Sequence, residues 1–293
     1  MATATMLDML GDTLKSMTFD FPPYHLTDFE DSLGGAWFVS PTQHALELLL
    51  LVPLFTGLTL FFGNRAFGKH TEAYRLMNSK HALPEASMLE RILVVLMIGS
   101  FGITCAHKTV TQTLLFLMQP CHASALLLII VMLWPSKQHH PLIPRLLLNT
   151  YYYTLWGAIL ALIFPDLRDH DMLGEVFNFF LEHSLILIVP MYLISNPRYV
   201  TIPPSLDMAL FSFFLYAFYH SPVLHLFSLW SGYNLNYSLV PPALGFLIET
   251  GPAYRYIMYT AALLNMFWTR YLLMDNWHKL ARWTRQQRKL KAC

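Results

Sequence analysis

The sequence predicts an all-α polytopic membrane bundle of about seven transmembrane helices, with its N-terminus outside (lumenal) and its C-terminus cytosolic. Three observations predict it. Hydrophobic residues make up 55% of the 293 and charged residues only 13%, about half the ~25% of a soluble domain. The mean hydropathy is +0.42. Apolar runs recur along the chain, each close to the ~20 residues that a spanning helix needs. Lysine and arginine then collect in alternate connecting segments.

The first 41 residues are mixed and acidic, with Asp8, Asp12, Asp20, Asp28, Glu30 and Asp31 against Lys15. They form a lumenal N-terminal segment. No basic stretch precedes an apolar core there, so no cleaved signal peptide is expected. A catalytic membrane domain, 42–273, follows. Its seven apolar runs lie near 42–62, 89–107, 113–134, 146–164, 175–195, 206–229 and 254–273. The fourth is polar in its first half, and the fifth and seventh carry internal His or Asn.

With the N-terminus outside, the inner segments hold Arg65, Lys69, Arg75, Lys80, Lys137, Arg145, Arg198 and six cations of the tail. The outer ones hold only Lys15, Lys108 and Arg168. The opposite orientation inverts this bias.

The tail, 274–293, interleaves Trp277, Leu280 and Trp283 with Arg and Lys, a pattern that suits a helix on the cytosolic membrane surface. Lys289 and Lys291 stand fifth and third from the end. They resemble a dilysine retrieval signal, which a coat-protein receptor reads and which implies residence in the endoplasmic reticulum. An ordinary basic tail is the equal alternative.

A net charge of +1 gives no reason to expect nucleic acid as a partner. Cys105, Cys121 and Cys293 show neither metal spacing nor a disulfide framework. No phosphate loop or HExxH is present, and no metal or cofactor is expected. No internal repeat is visible.

The stretch Lys108–Trp134 reads as one span with a break in its middle. Pro120 cannot donate a backbone hydrogen bond, so the carbonyl of Phe116 loses its helical partner and the span is expected to kink. Cys121 and His122 follow at once. Cys121 lies about eight residues from the outer end, or ~12 Å. His183 in the fifth span and His220 in the sixth fall at the same depth. Gln43 and Glu47 lie one turn apart near the outer end of the first span. Lys108 and the loop residues Asn234 and Asn236 lie on the same side. Ionisable groups in a membrane usually face a bundle interior and mark function. Each has a bland reading as well: a lone cysteine fills space, a lone histidine bonds a neighbouring helix, and Lys108 snorkels. Cys105 has no such company and reads as structural. Pro53 and Pro190 are expected to kink their helices. Tyr151, Tyr152, Tyr153 and Trp156 read as packing or interface anchors.

Five motifs occur in order: KTV and PCH in the third span, EH before IVPMYL in the fifth, FYH in the sixth and NLN in the next loop. Over roughly residues 40–260 this combination resembles the transmembrane protein 164 family, itself similar to the androgen-induced-gene-1 lipid hydrolases. The resemblance implies acyl transfer between phospholipids, forming arachidonoyl ether phosphatidylethanolamines by a cysteine and a histidine. Cys121 falls on the family's nucleophile and His183 on its histidine. The androgen-induced-gene-1 group uses a threonine nucleophile, so that relation supports the scaffold more than the residue. Gln119 stands where the family often has Asn, and Glu182 where Gln often precedes the histidine.

The implied partners are a phospholipid acyl donor, a lysophospholipid acceptor and the bilayer itself. In this scheme His183 activates the Cys121 thiol. His122, Lys108, Asn234 and Asn236 are candidate donors to the tetrahedral intermediate, Gln43 or Glu47 orients a histidine, and His220 and its neighbour Tyr219 line the site. A seven-helix transporter or receptor and a non-enzymatic assembly factor remain alternatives.

Overall fold

Serines start three of the long helices. Ser40, Ser87 and Ser205 each accept a hydrogen bond from the backbone N–H three residues on, at 3.2 Å. Each such cap contributes about 1 kcal/mol. The computed structural model describes residues 5–24, 33–79, 85–135 and 142–292. Among these it forms α1 (Met6–Met17), α2 (Pro41–Ala66), α3 (Glu72–Met77), α4 (Met88–Val110), α5 (Pro120–Leu133), α6 (Leu142–Thr154), α7 (Trp156–Ile163), α8 (Glu175–Ser195), α9 (Leu206–Phe218), α10 (His225–Ser231), α11 (Gly245–Glu249), α12 (Tyr254–Phe267) and α13 (Asp275–Ala292). The described residues contain no strand, only two isolated β-bridges.

The all-α class holds, and four spans meet the length and apolarity needed to cross a membrane: α2, α4, α8 and the continuous stretch Leu206–Ser231. A fifth candidate is the pair α6 and α7, bent by 42°. Seven were expected. The third expected span is divided into a 3-10 turn, Leu114–Met118, and the 14-residue α5. In the seventh, α12 passes through a π-helical turn, Trp268–Met274, into α13.

Among the described residues the apolar core has two large parts and three smaller clusters. Leu128 of α5, Leu148 of α6 and Val189 and Leu193 of α8 are fully buried in one, with Met97 of α4. Met208 and Ala209 of α9 and Met266 of α12 fill the other, against the end of α2. The three tyrosines join them: Tyr151 and Tyr152 face the first part and Tyr153 the second. Their packing role is as expected, and the Tyr151 hydroxyl donates to the Ile186 carbonyl at 2.8 Å. Outward, α2 exposes Leu49, Leu50, Leu54, Leu60 and Phe61, an apolar face of the kind that lipid covers.

The N-terminal segment docks through α1, where Gly11 meets Thr42. A Cβ at Gly11 falls 2.4 Å from the Thr42 hydroxyl oxygen, so only glycine permits this approach. At the other end Trp277 of α13 donates to the Met191 carbonyl at 2.8 Å. The side chains of Lys289 and Lys291, and all of Cys293, lie outside the described residues.

Pro120 acts differently from the expectation. It does not bend a continuous helix. It is the first residue of α5, where its fixed φ suits the helix and its missing N–H is not needed. Gln119 before it is extended (φ −58°, ψ 146°), as the residue preceding a proline prefers. The Phe116 carbonyl is satisfied by the Gln119 N–H at 2.9 Å. Lys108 closes α4 instead of opening the next span. Pro53 and Pro190 sit inside helices that run on through them.

Candidate functional site

Cys121 and His122 occupy the first turn of α5, directly after Pro120. The first N–H groups of a helix lack intrahelical acceptors and carry partial positive charge. A cysteine there is placed to favour its thiolate. Cys121 is half-buried against the first part of the core, with its Sγ 3.9 Å from Gln119 Oε1. A ring nitrogen of His122 lies within 4.8 Å of the sulfur, as does a carboxylate oxygen of Glu182, and His183 follows Glu182 on α8. Cys121, His122 and His183 are thus gathered where the start of α5 faces α8.

Each histidine is anchored through Nδ1. In His183 this nitrogen donates to the Phe179 carbonyl one turn back, at 2.8 Å. Its Nε2 is then the atom with a free lone pair. His122 Nδ1 lies 2.5 Å from Glu182 Oε1. Glu182 Oε2 in turn accepts from Thr104 Oγ1 at 2.5 Å. Behind it Asn178 Nδ2 donates to Thr104 Oγ1 at 2.9 Å, and Ser100 Oγ donates to Asn178 Oδ1 at 2.9 Å. Ser100 and Thr104 are one turn apart on α4, and Asn178 and Glu182 one turn apart on α8. This facing pair of i, i+4 polar steps was visible in the sequence, and it is the signal that the search by single residues missed. Cys105, one residue past Thr104, interacts electrostatically with His122 and Glu182, so it does stand near the group.

The remaining expected members are placed elsewhere. His220 has both nitrogens taken, Nδ1 with the Tyr259 hydroxyl at 3.0 Å and Nε2 with the Asn236 carbonyl at 3.0 Å. Equal depth did not make it a partner of Cys121. Gln43 and Glu47 orient neither His122 nor His183. Gln43 Nε2 donates to Glu47 Oε1 at 2.7 Å, and Glu47 pairs with Arg255 at 3.0 Å. Arg255 also stands against His44 and His225, whose rings meet at 2.7 Å between Nδ1 and Nε2. Glu47, Arg255, His44 and His225 thus form a second buried polar network. Arg255 and His225 each stand in a largely apolar run, and His44 stands directly beside Gln43, so nothing in the order of residues links the three.

Asn234 spends its amide on the loop after α10, accepting from Leu239 and Val240 N–H and donating to the Val240 carbonyl. Asn236 adopts a left-handed backbone (φ 48°), which turns its carbonyl to His220. Tyr219 donates to the Met118 carbonyl at 2.5 Å, tying the π-helical turn Tyr219–Leu224 to the segment before Cys121. Lys108 pairs with Glu175 at 3.4 Å beside the Phe116 ring, so it is an outer neighbour without contact to the thiol.

In the loop after α7, Asp166 pairs with Arg168 and accepts from Tyr237 at 2.9 Å. Burial pushes the Asp166 carboxyl up, but the hydrogen bonds from Arg168 and Tyr237 and the Arg168 charge outweigh it, and its pKa lies below the ordinary value.

The donor set also suits a cation. Ligand atoms of Cys121, His122 and Glu182 lie within 4.8 Å of one another.

Comparison with known proteins agrees with this order of motifs. The TMEM164 family model matches residues 38–272. A protein named "Transmembrane protein 164 homolog" from Dictyostelium discoideum is 28% identical over 268 residues, covering 88% of this chain and 90% of its own. No solved structure matches. The family match takes in every helix from α2 to α12 and both buried polar networks, and on that extent the chain belongs to the TMEM164 family.

Proposed function

We propose that the protein is a membrane-embedded acyltransferase that moves a fatty acyl chain between phospholipids through Cys121. One observation carries the reading: a thiol on the first turn of α5 has His122 within 4.8 Å and His183 on the facing turn of α8, each histidine held by its Nδ1. A nucleophile beside an oriented base is the arrangement covalent catalysis needs.

In this reading His183 Nε2 takes the Cys121 proton, and the thiolate attacks the ester carbonyl of the donor lipid. The N–H groups of Cys121 and His122 at the helix start are positioned to stabilise the tetrahedral oxyanion. Collapse breaks the C–O bond, and His183 returns the proton to the departing lysophospholipid. The acyl chain is now a thioester on Cys121. His183 next takes the proton from the acceptor hydroxyl, that oxygen attacks the thioester carbonyl, and the sulfur leaves. His122, held against Glu182, supplies positive charge beside the sulfur. Polyunsaturated chains and an ether phosphatidylethanolamine acceptor are the substrates that the family resemblance favours.

Seven spans, with the N-terminus lumenal and residence in the endoplasmic reticulum, complete the proposal. Its supports are the lysine and arginine bias and the apolar character of α5. This orientation puts the start of α5 in the lumenal half, where an acyl ester can enter from the bilayer.

The test is to trap the intermediate. Purified protein given a phospholipid with a labelled acyl chain should acquire label that hydroxylamine releases. Cys121→Ala should acquire none, and cells carrying it should lose the corresponding ether phospholipids. The Glu47–Arg255–His44–His225 network favours a second reading, a proton-coupled transporter, because such groups relay protons. Transport without a labelled Cys121 would favour it.

A further inference from the structure

We propose that the cluster around Cys121 is also a binding site for a thiophilic divalent cation of the zinc class, and that the metal-bound protein is silent in acyl transfer. The second half rests on the proposed function; the first does not. Neither is implied by the spacing of cysteines in the sequence, because the donors come from two helices.

The geometry is that of donors around a small ion. Cys121 Sγ, His122 and Glu182 lie mutually within 4.8 Å. Zinc bonds at about 2.0–2.3 Å and tetrahedral angles separate ligand atoms by about 3–4 Å, so small side-chain shifts suffice. His183 stands outside this group of three; it follows Glu182 on α8 with its Nδ1 engaged by Phe179, and it is the neighbour from which a fourth donor would come. Thiolate with imidazole is a donor set that selects zinc over magnesium or calcium.

Outer hydrogen bonds are in place. Thr104 holds Oε2 of Glu182 and leaves Oε1 inward, and the Phe179 carbonyl fixes the tautomer of His183. Such outer partners orient metal ligands and raise their affinity. Charge also agrees. One thiolate and one carboxylate neutralise a dication, and a neutral assembly is the least costly to bury among apolar helices. Glu182 and His183 are only 2% and 4% exposed.

Binding displaces two protons, one from the thiol and one shared across the His122–Glu182 contact; both leave to water. The sulfur lone pair that would attack an ester is then shared with the metal. Acyl transfer stops until the ion is removed.

Cobalt(II) is the probe, because a thiolate-to-cobalt charge-transfer band reports sulfur ligation and visible bands report tetrahedral geometry. The full chain carries Cys105→Ser and Cys293→Ser, is purified in detergent and is washed with chelator. One cobalt per chain should give both signals, and zinc should displace it. Cys121→Ser should lose the charge-transfer band. His122→Ala or His183→Ala should raise Kd by about tenfold or more, with size-exclusion profiles unchanged. Absence of the band, or a band that survives Cys121→Ser, overturns the site. In the activity arm, zinc should abolish transfer at the occupancy that displaces cobalt. Stimulation by zinc overturns the silent state. A cobalt signal on protein that transfers no acyl chain under any condition refutes the acyltransferase reading and leaves the metal site standing.

Discussion

His122 on α5 and Glu182 on α8 meet at 2.5 Å, Nδ1 to Oε1, across the contact between the two helices. Glu182 directly precedes His183, so a single turn of α8 holds a partner for each side of Cys121. Replacing Glu182 by Gln keeps an oxygen for His122, turns the atom that faces Thr104 into an amide donor, and removes the charge. Glu182→Gln should accumulate normally and lose about 10–100-fold in kcat/KM, as expected when a buried charged hydrogen bond of about 1.5–3 kcal/mol becomes neutral. Glu182→Leu strands both partners and should cost about 3–5 kcal/mol of stability. Equal activity of wild type and Glu182→Gln, measured on purified protein, would remove the carboxylate from the mechanism.

Cys121 and His183 should behave as a unit. Cys121→Ala and His183→Ala should each abolish acyl transfer, and the double variant should be no worse than either. Cys121→Ser is the sharper probe. Its hydroxyl ionises far less readily than a thiol, so transfer should fall by orders of magnitude with the protein still folded. Near-native transfer by Cys121→Ala at matched expression ends the assignment.

The second network should matter for stability. Glu47 and Arg255 are both 3% exposed and paired at 3.0 Å. Arg255→Met alone leaves Glu47 without its counter-ion and should destabilise by about 3–5 kcal/mol, whereas Glu47→Met with Arg255→Met should recover much of that loss. Thermal unfolding in detergent gives both values. A double variant as unstable as the single would mean that His44, His225 and Ser238, which also contact Arg255, carry the cost.

Acid should loosen the loop after α7. The Asp166 pKa is depressed in the folded protein, so its pairing contributes stability above the unfolded value near 3.9 and loses it as pH falls through the folded value. Arg168→Ala should lower the unfolding temperature at pH 7 and flatten its fall below about pH 4. An unchanged acid limb would show that Asp166 is not the group responsible.

Orientation is open to a direct measurement. A glycosylation acceptor placed near residue 20 should be modified, and one after Cys293 should not. Changing Lys289 and Lys291 to Ser should release the protein toward later membranes if they are read as a retrieval signal. A modified C-terminus would put the Cys121 group in the cytosolic half.

The amino-acid order alone determined that the chain is an all-helical membrane protein, and where α2, α4, α8 and the helix from Leu206 run. Composition and run length carry that information, because hydrophobicity summed over about 20 residues decides whether a segment enters lipid. Tertiary structure decided the rest. Pro120 starts a helix instead of bending one because Gln119, extended before it, breaks the chain into two segments. His220 turned to Tyr259 and Asn236, and Glu47 turned to Arg255, because direction around a helix axis is set by which neighbour packs there. Glu182 became the partner of His122 for the same reason: α4, α5 and α8 share one apolar core, and their few polar side chains can satisfy their hydrogen bonds only where those faces meet.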